Sequence, residues 1–248
     1  MRDKKTAVGT FMLTSDPGYI EAAGYAGLDF VIIDMEHGPL GLSEVQNNIR
    51  AAQLAGALPI VRVSKLCPVS IGQVLDAGAA GVQVPQITTA EEARIAVQGA
   101  KFHPHGNRGV NIFVRAAQYS SMPKNEFFSS ANEDKLVILQ IEGKAALDEL
   151  DEILTVSGLD GIFIGPFDLS QSYGVTGQID HPLVVDAMKD IVQRAKKAGV
   201  ATSTYTDSVE SMKKWSEIGV QWLVYTVDTH IFSHAIRTTL HAFKGGNV

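Results

Sequence analysis

The 248 residues are 45% hydrophobic and 19% charged, enough apolar material for one large core at a length where an α/β barrel forms a single domain. A net charge of −6, with no basic run longer than the pairs Lys4-Lys5, Lys196-Lys197 and Lys213-Lys214, excludes a nucleic-acid binder that works by neutralising phosphates. A single cysteine, Cys67, excludes an intrachain disulfide and a cysteine-based zinc site, and no apolar run approaches the roughly 18 residues of a membrane span.

Cys67 reads as a buried small hydrophobe in a reducing, cytoplasmic compartment. The first residues lead directly into a strand-like run without the apolar core and small-residue cleavage site of a signal peptide. From there, short β-rich runs alternate with segments of helical periodicity. The strand Val8 to Leu13 precedes a helix over Tyr19 to Ala26, Phe30 to Asp34 precedes Leu42 to Ala55, and Pro59 to Val63 precedes Val69 to Ala77. Gly81 to Val84 then leads into Ala90 to Ala100, Leu136 to Ile141 into Ala145 to Leu154, and Gly161 to Ile164 into Pro182 to Ala198. The last two units pair Gly199 to Thr204 with Val209 to Ile218, and Trp222 to Val227 with Thr229 to Phe243.

Eight strand-then-helix units predict a closed parallel (β/α)8 TIM barrel, one domain over residues 1–248. Gly27, Gly56, Gly199 and Gly219 supply left-handed helix stops, and Ser43, Thr89, Asp180 and Asp207 are the expected N-caps. The one long interruption, from about Lys101 to Glu133, is rich in Pro, Gly, Asn and Ser and reads as a lid or a subunit contact.

Chemistry in such a barrel gathers at the C-terminal ends of the strands. Asp34, Glu36 and His37 leave the second strand there, Arg62 lies in the third, Gln83 near the end of the fourth, and Glu142 immediately after the fifth. Asp168 follows the sixth in "GPFDLS", Tyr205 the seventh and Asp228 the eighth. Carboxylates with few cations between them raise one another's pKa, so Glu142 and Asp168 together invite a divalent ion, although either alone could simply cap a helix. Oxygen ligands suit Mg²⁺ or Mn²⁺, with Co²⁺ or Zn²⁺ as tolerated substitutes. Gly165-Pro166 turns the backbone at the rim and leaves Asp168 free to face a ligand.

His37 is an acid/base candidate at neutral pH, with a backbone-satisfied histidine as the alternative; Asp34, Glu36 or Asp76 could orient it. Arg62 is either a structural ion pair with a neighbouring strand or a clamp for a carboxylate or developing oxyanion. His103 and His105 flank Pro104 and read as surface residues, while Arg108, between Asn107 and Gly109, reads as a loop anchor.

"DFVIIDMEHGP", "IVRV", "LDAGAAGVQVPQI", "PHGNRGV", "ILQIEGKAAL" and "GLDGIFIGPFDLS" resemble, in order and over nearly the whole chain, the HpcH/HpaI aldolase and citrate lyase family of metal-dependent pyruvate aldolases. The resemblance implies metal ligation by Glu142 and Asp168, and His37 as acid/base paired with Asp76. It also implies Arg62 on the 2-oxo acid and its enolate, with Gln140, Gly165, Pro166 and Phe167 around the substrate. It further implies a homohexamer in which the C-terminal helix is exchanged between subunits. Phe11 and Phe167 depart from the family's usual residues and stand where the second substrate is shaped.

The expected reaction is the reversible cleavage of a 4-hydroxy-2-oxo acid to pyruvate and an aldehyde. Its rivals are a Claisen-type citrate-forming or citramalyl activity on the same scaffold and a non-catalytic barrel that binds organic acids. A lysine Schiff base is disfavoured because Lys65 and Lys144 lie outside any apolar strand interior.

Overall fold

Val, Ile and Phe dominate the strands because a barrel stave is covered on both faces, inside by its own packed interior and outside by the helices. A computed structural model describes residues 6–244. Eight parallel strands, β1 (Ala7–Met12), β2 (Phe30–Asp34), β3 (Leu58–Arg62), β4 (Gly81–Val84), β5 (Leu136–Ile141), β6 (Gly161–Ile164), β7 (Ala201–Thr206) and β8 (Trp222–Val227), close in sequence order. β1 pairs with β8 to seal the barrel, with a register shift between Gly9 and Phe11. The expected fold is therefore present, strand for strand.

Two apolar layers hold it. Phe11, Phe30, Ile32, Ile60, Ile138, Phe163, Trp222 and Val224 fill the interior, and a larger cluster joins the outer strand faces to the helices. Helices α1 (Pro17–Tyr25), α2 (Leu42–Leu54), α3 (Pro68–Asp76) and α4 (Ala90–Ala100) follow the first four strands. Gly27, Gly56, Gly199 and Gly219 all adopt positive φ, as helix stops require.

Local starts differ from expectation in three places. Gly41, not Ser43, caps α2; His181, not Asp180, caps α9 (Pro182–Ala198); and Ser208, not Asp207, caps α10 (Val209–Ile218). In the last case two adjacent oxygen-bearing side chains compete, and the hydroxyl of Ser208 reaches the Ser211 amide. Thr89 does cap α4, in a reciprocal box with Glu92. β7 begins at Ala201 because Gly199 is spent on ending α9.

The interruption after α4 is not structureless. It carries a 3-10 helix (Arg115–Ser120) and α5 (Lys124–Glu133), wrapped around a small cluster of Phe102, Ala117, Phe127 and Ala131. The helix expected over Ala145 to Leu154 is two short turns, α6 (Lys144–Asp148) and α7 (Leu150–Leu154), and an extra helix, α8 (Pro166–Ser172), follows β6. The final helix, α11 (Asp228–Lys244), buries only Asp228 and exposes Ile231, Phe232, Ile236, Leu240 and Phe243. Cys67 is half-buried at the start of α3, not in the core, and the neighbouring Ser70 lowers its thiol pKa.

Candidate active site

β2 is buried throughout and ends at Asp34, which has no exposed surface. A buried carboxylate costs several kcal/mol unless a matched cation meets it, and the parallel register places Arg62, the last residue of β3, directly alongside. Arg62 Nε donates to Asp34 Oδ1 at 2.8 Å and Nη2 to Oδ2 at 2.7 Å, a two-pronged pair. Asp34 Oδ1 also accepts from the Glu36 amide at 2.9 Å, which turns the chain out of the strand. The charge at the end of this apolar stave is thus internally matched.

The pair continues into a chain of hydrogen bonds across four strands. Arg62 Nη1 lies 3.1 Å from Glu36 Oε2 and donates to Gln140 Oε1 at 3.4 Å. That same oxygen accepts from Gln83 Nε2 at 2.6 Å, which fixes the orientation of the Gln140 amide. Gln140 Nε2 then donates to Glu142 Oε2, and the backbone N–H of Gln86 donates to Glu142 Oε1 at 2.9 Å. Gln86 sits at φ 57°, a left-handed conformation that aims this amide at the carboxylate. Glycine is required at 165, since a Cβ there would stand 2.8 Å from Glu142 Oε2.

Burial pushes the Glu142 carboxyl above the usual carboxylate range, and the charges of Asp168 and Glu36 push in the same direction against the Gln140 hydrogen bond. Glu36 is raised for the same first reason, with Arg62 opposing. Its Oε2 lies within ion-pair reach of Arg62 but lacks an aligned N–H. Three mutually repelling carboxylates, one with an orphaned buried oxygen, form a donor set that a hard cation would neutralise. Among the described residues no group of three or more His, Cys, Asp and Glu side chains is gathered closely enough to hold a metal ion by itself.

The cavity above this network, of about 370 Å³, is lined by Arg62, Gln140, His37, Gly165, Pro166, Phe167 and Asp168, together with Phe11, Phe163, Tyr205 and Val227. A larger cavity, of about 470 Å³, opens at the opposite end of the barrel among Phe30, Leu58, Pro59 and Trp222 and gathers no comparable polar groups. His37 projects into solvent, 66% exposed, with Nε2 4.0 Å from Glu36 Oε2.

Asp76 is not brought to His37 within the chain. It ends α3 on the barrel's outside and pairs with Arg108, whose guanidinium lies over the Phe102 ring. A helix running back along the strand carries its last residue away from the mouth of its own barrel, so within this chain the carboxylate expected beside His37 is engaged by Arg108. Asp228 is likewise structural, accepting from the Leu13 and Thr14 amides at 3.0 and 2.9 Å. Gln86 was not anticipated, because nothing in "VPQIT" marks the twist that turns its amide inward.

A model of the family described as HpcH/HpaI aldolase/citrate lyase matches residues 7–235. The chain belongs to this family. A 2-dehydro-3,6-dideoxy-6-sulfogluconate aldolase of Pseudomonas putida is 34% identical over 99% of this chain and 95% of its own. A 2-keto-3-deoxy-L-rhamnonate aldolase of Escherichia coli strain K12 is 32% identical over 99% and 92%. A citrate synthase structure, SbnG, superposes with a TM-score of 0.89 at 30% identity, covering 98% of this chain and 95% of the other. The HpcH/HpaI member described here is accordingly an enzyme, a carbon–carbon lyase of the aldolase type, and cleavage of a 4-hydroxy-2-oxo acid to pyruvate and an aldehyde is borne out at the level of these relatives. Among the described residues, no helix is long and apolar enough to cross a membrane.

Proposed function

We propose that the mouth of the barrel carries out this cleavage with Arg62, His37, Glu142 and Asp168 as its working groups. The observation that supports the reading most strongly is the continuous network from Asp34 through Arg62 and Gln140 to Glu142, opening on the cavity that Asp168 and His37 also line. Arg62 binds the carboxylate of the 2-oxo acid and stabilises the enolate oxygen, its guanidinium held in plane by Asp34. Glu142 and Asp168 hold a divalent ion, Mg²⁺ or Mn²⁺ with Co²⁺ or Zn²⁺ as substitutes. Once bound, the ion supplies Lewis acidity toward the negative charge of the enolate.

His37, exposed and beside Glu36, accepts the proton of the 4-hydroxyl as the C3–C4 bond breaks. The bonding pair passes into the enolate of pyruvate, C4 leaves as the aldehyde carbonyl, and protonation at C3 completes the cycle. Gln140 orients Glu142, while Gly165, Pro166 and Phe167 shape the substrate space. Asp76 acts on the architecture around Arg108 within its own chain. The exposed apolar face of α11 supports a homo-oligomer, a hexamer with this helix exchanged, and the single cysteine supports a cytoplasmic setting for one catalytic domain.

The deciding experiment incubates protein with pyruvate and Mn²⁺ in D₂O. Methyl protons should exchange with solvent, read by NMR; an unchanged methyl signal with the metal shown to be bound would remove the enolisation step. The likeness to a citrate synthase favours a second reading, a Claisen condensation of an acyl-CoA with oxaloacetate. Release of free CoA thiol with those substrates, without pyruvate exchange, would favour that one.

A further inference from the structure

The cavity has two unlike halves. One half is acidic and polar, built by Arg62, Gln140 and Asp168 with Glu36 and Glu142 behind them. The other is aromatic: Phe167, on the first turn of α8 and 48% exposed, meets the Tyr205 ring edge-to-face at 5.3 Å. Phe11 of β1 meets Phe163 edge-to-face at 5.6 Å, and its ring lies 4.4 Å beneath the Arg62 guanidinium. Val227 completes this wall.

Charge sharpens the contrast. Among the described residues lining the cavity the only basic side chains are Arg62 and His37. Arg62 is already shared by Asp34, Glu36 and Gln140. Its remaining donors serve the 2-oxo acid, and His37 serves the hydroxyl. Among the lining side chains no positive group is left for a second anion, and the carboxylate of Glu36 stands beside Arg62 and His37. An anionic tail on the aldehyde would therefore be desolvated without a partner. An aromatic or branched apolar tail would instead replace the water over Phe167 and Tyr205 and gain edge-to-face contacts.

We infer that the acceptor half of this site selects uncharged apolar aldehydes, aromatic ones foremost, over aldehydes that carry a carboxylate or other anionic tail, with Phe167 as the residue that sets the preference. The inference rests on the aldol reading above and names its second substrate by chemical class. Within the cavity the aldehyde's carbonyl faces His37 and its tail lies along Phe167.

The test measures condensation of pyruvate by the full chain with Mn²⁺, using benzaldehyde and succinic semialdehyde, beside the methyl exchange of pyruvate alone. Benzaldehyde should win in kcat/KM by at least about 10-fold, the scale on which apolar pockets discriminate. Phe167→Lys, at a half-exposed position that tolerates a long side chain, should narrow that ratio by about 10-fold through the new cation. Methyl exchange together with an equal or better kcat/KM for the semialdehyde overturns the inference and leaves the aldol reading standing. No exchange and no condensation with either aldehyde removes both. An unchanged ratio in Phe167→Lys overturns the assignment to Phe167.

Discussion

Arg62 and Arg108 are both buried and both face an aspartate, yet they are held in opposite ways. Arg62 lies between staves and meets Asp34 with two prongs, Glu36 with a third contact and Gln140 with a fourth. Arg108, its side chain 2% exposed, meets Asp76 through one nitrogen, and its Nε and Nη1 find no partner. Burial lowers the pKa of Arg108, with Asp76 opposing. A guanidinium fixed from several strands has one orientation and can present itself to a reacting oxygen, whereas one fixed at a single point anchors a loop. The difference separates a group poised for chemistry from a group that holds shape.

The contrast should break most visibly when Arg62 is changed. Arg62→Lys keeps the charge but loses the fork, and kcat/KM should fall about 10²- to 10³-fold; a value near wild type would put the two arginines on the same footing. Glu142→Ala should next remove Mn²⁺ binding in calorimetry while far-UV circular dichroism stays native, and retained affinity would contradict the ligand assignment. Arg108→Met should instead lower unfolding stability by about 2 kcal/mol in urea titration, with Mn²⁺ affinity kept. Loss of that affinity in Arg108→Met would mean that the outer pair reaches the site.

pH gives a finer reading of the acidic half. Glu142 has a carboxyl raised above its ordinary 4.5, so its protonated form is favoured by the fold. Its contribution to stability is full below 4.5 and is lost as pH rises through the raised value, where ionisation occurs in a buried, already negative place. In metal-free protein, Glu142→Gln should therefore flatten the fall in Tm between pH 4.5 and 8. A slope identical to wild type would show the carboxylate to be unperturbed. As a small calibration remote from both arginines, Thr89→Ala removes the acceptor for the Glu92 amide and should cost about 1 kcal/mol by the same titration.

Much of the barrel was legible because its signals are local. β-branched runs, glycine stops and the Thr89 box each act within a few residues, and all eight strands fell where those signals put them, within two residues at either end. The candidate site was legible only in part. Strand ends identify Asp34, Arg62, Gln83 and Glu142, but which pairs with which depends on lateral register, and Asp34 beside Arg62 follows from strand pairing that no local pattern encodes. Asp76 was no more legible, since nothing local in "LDAG" marks Arg108, 32 residues on, as the group it meets within its own chain. Helix α8 was hidden by its own first residues: Gly165-Pro166 reads as a turn, yet proline at the first helical position with Asp168 in the first turn is also a helix start.

The seam between β1 and β8 has a further consequence during synthesis. A nascent polypeptide that has emerged only through β7 presents an open sheet with two bare edges, the kind of surface that recruits chaperones or neighbouring chains. Only when Trp222 to Val227 leaves the ribosome, followed by the carboxylate of Asp228 that fastens Leu13 and Thr14, does the first stave find its last neighbour.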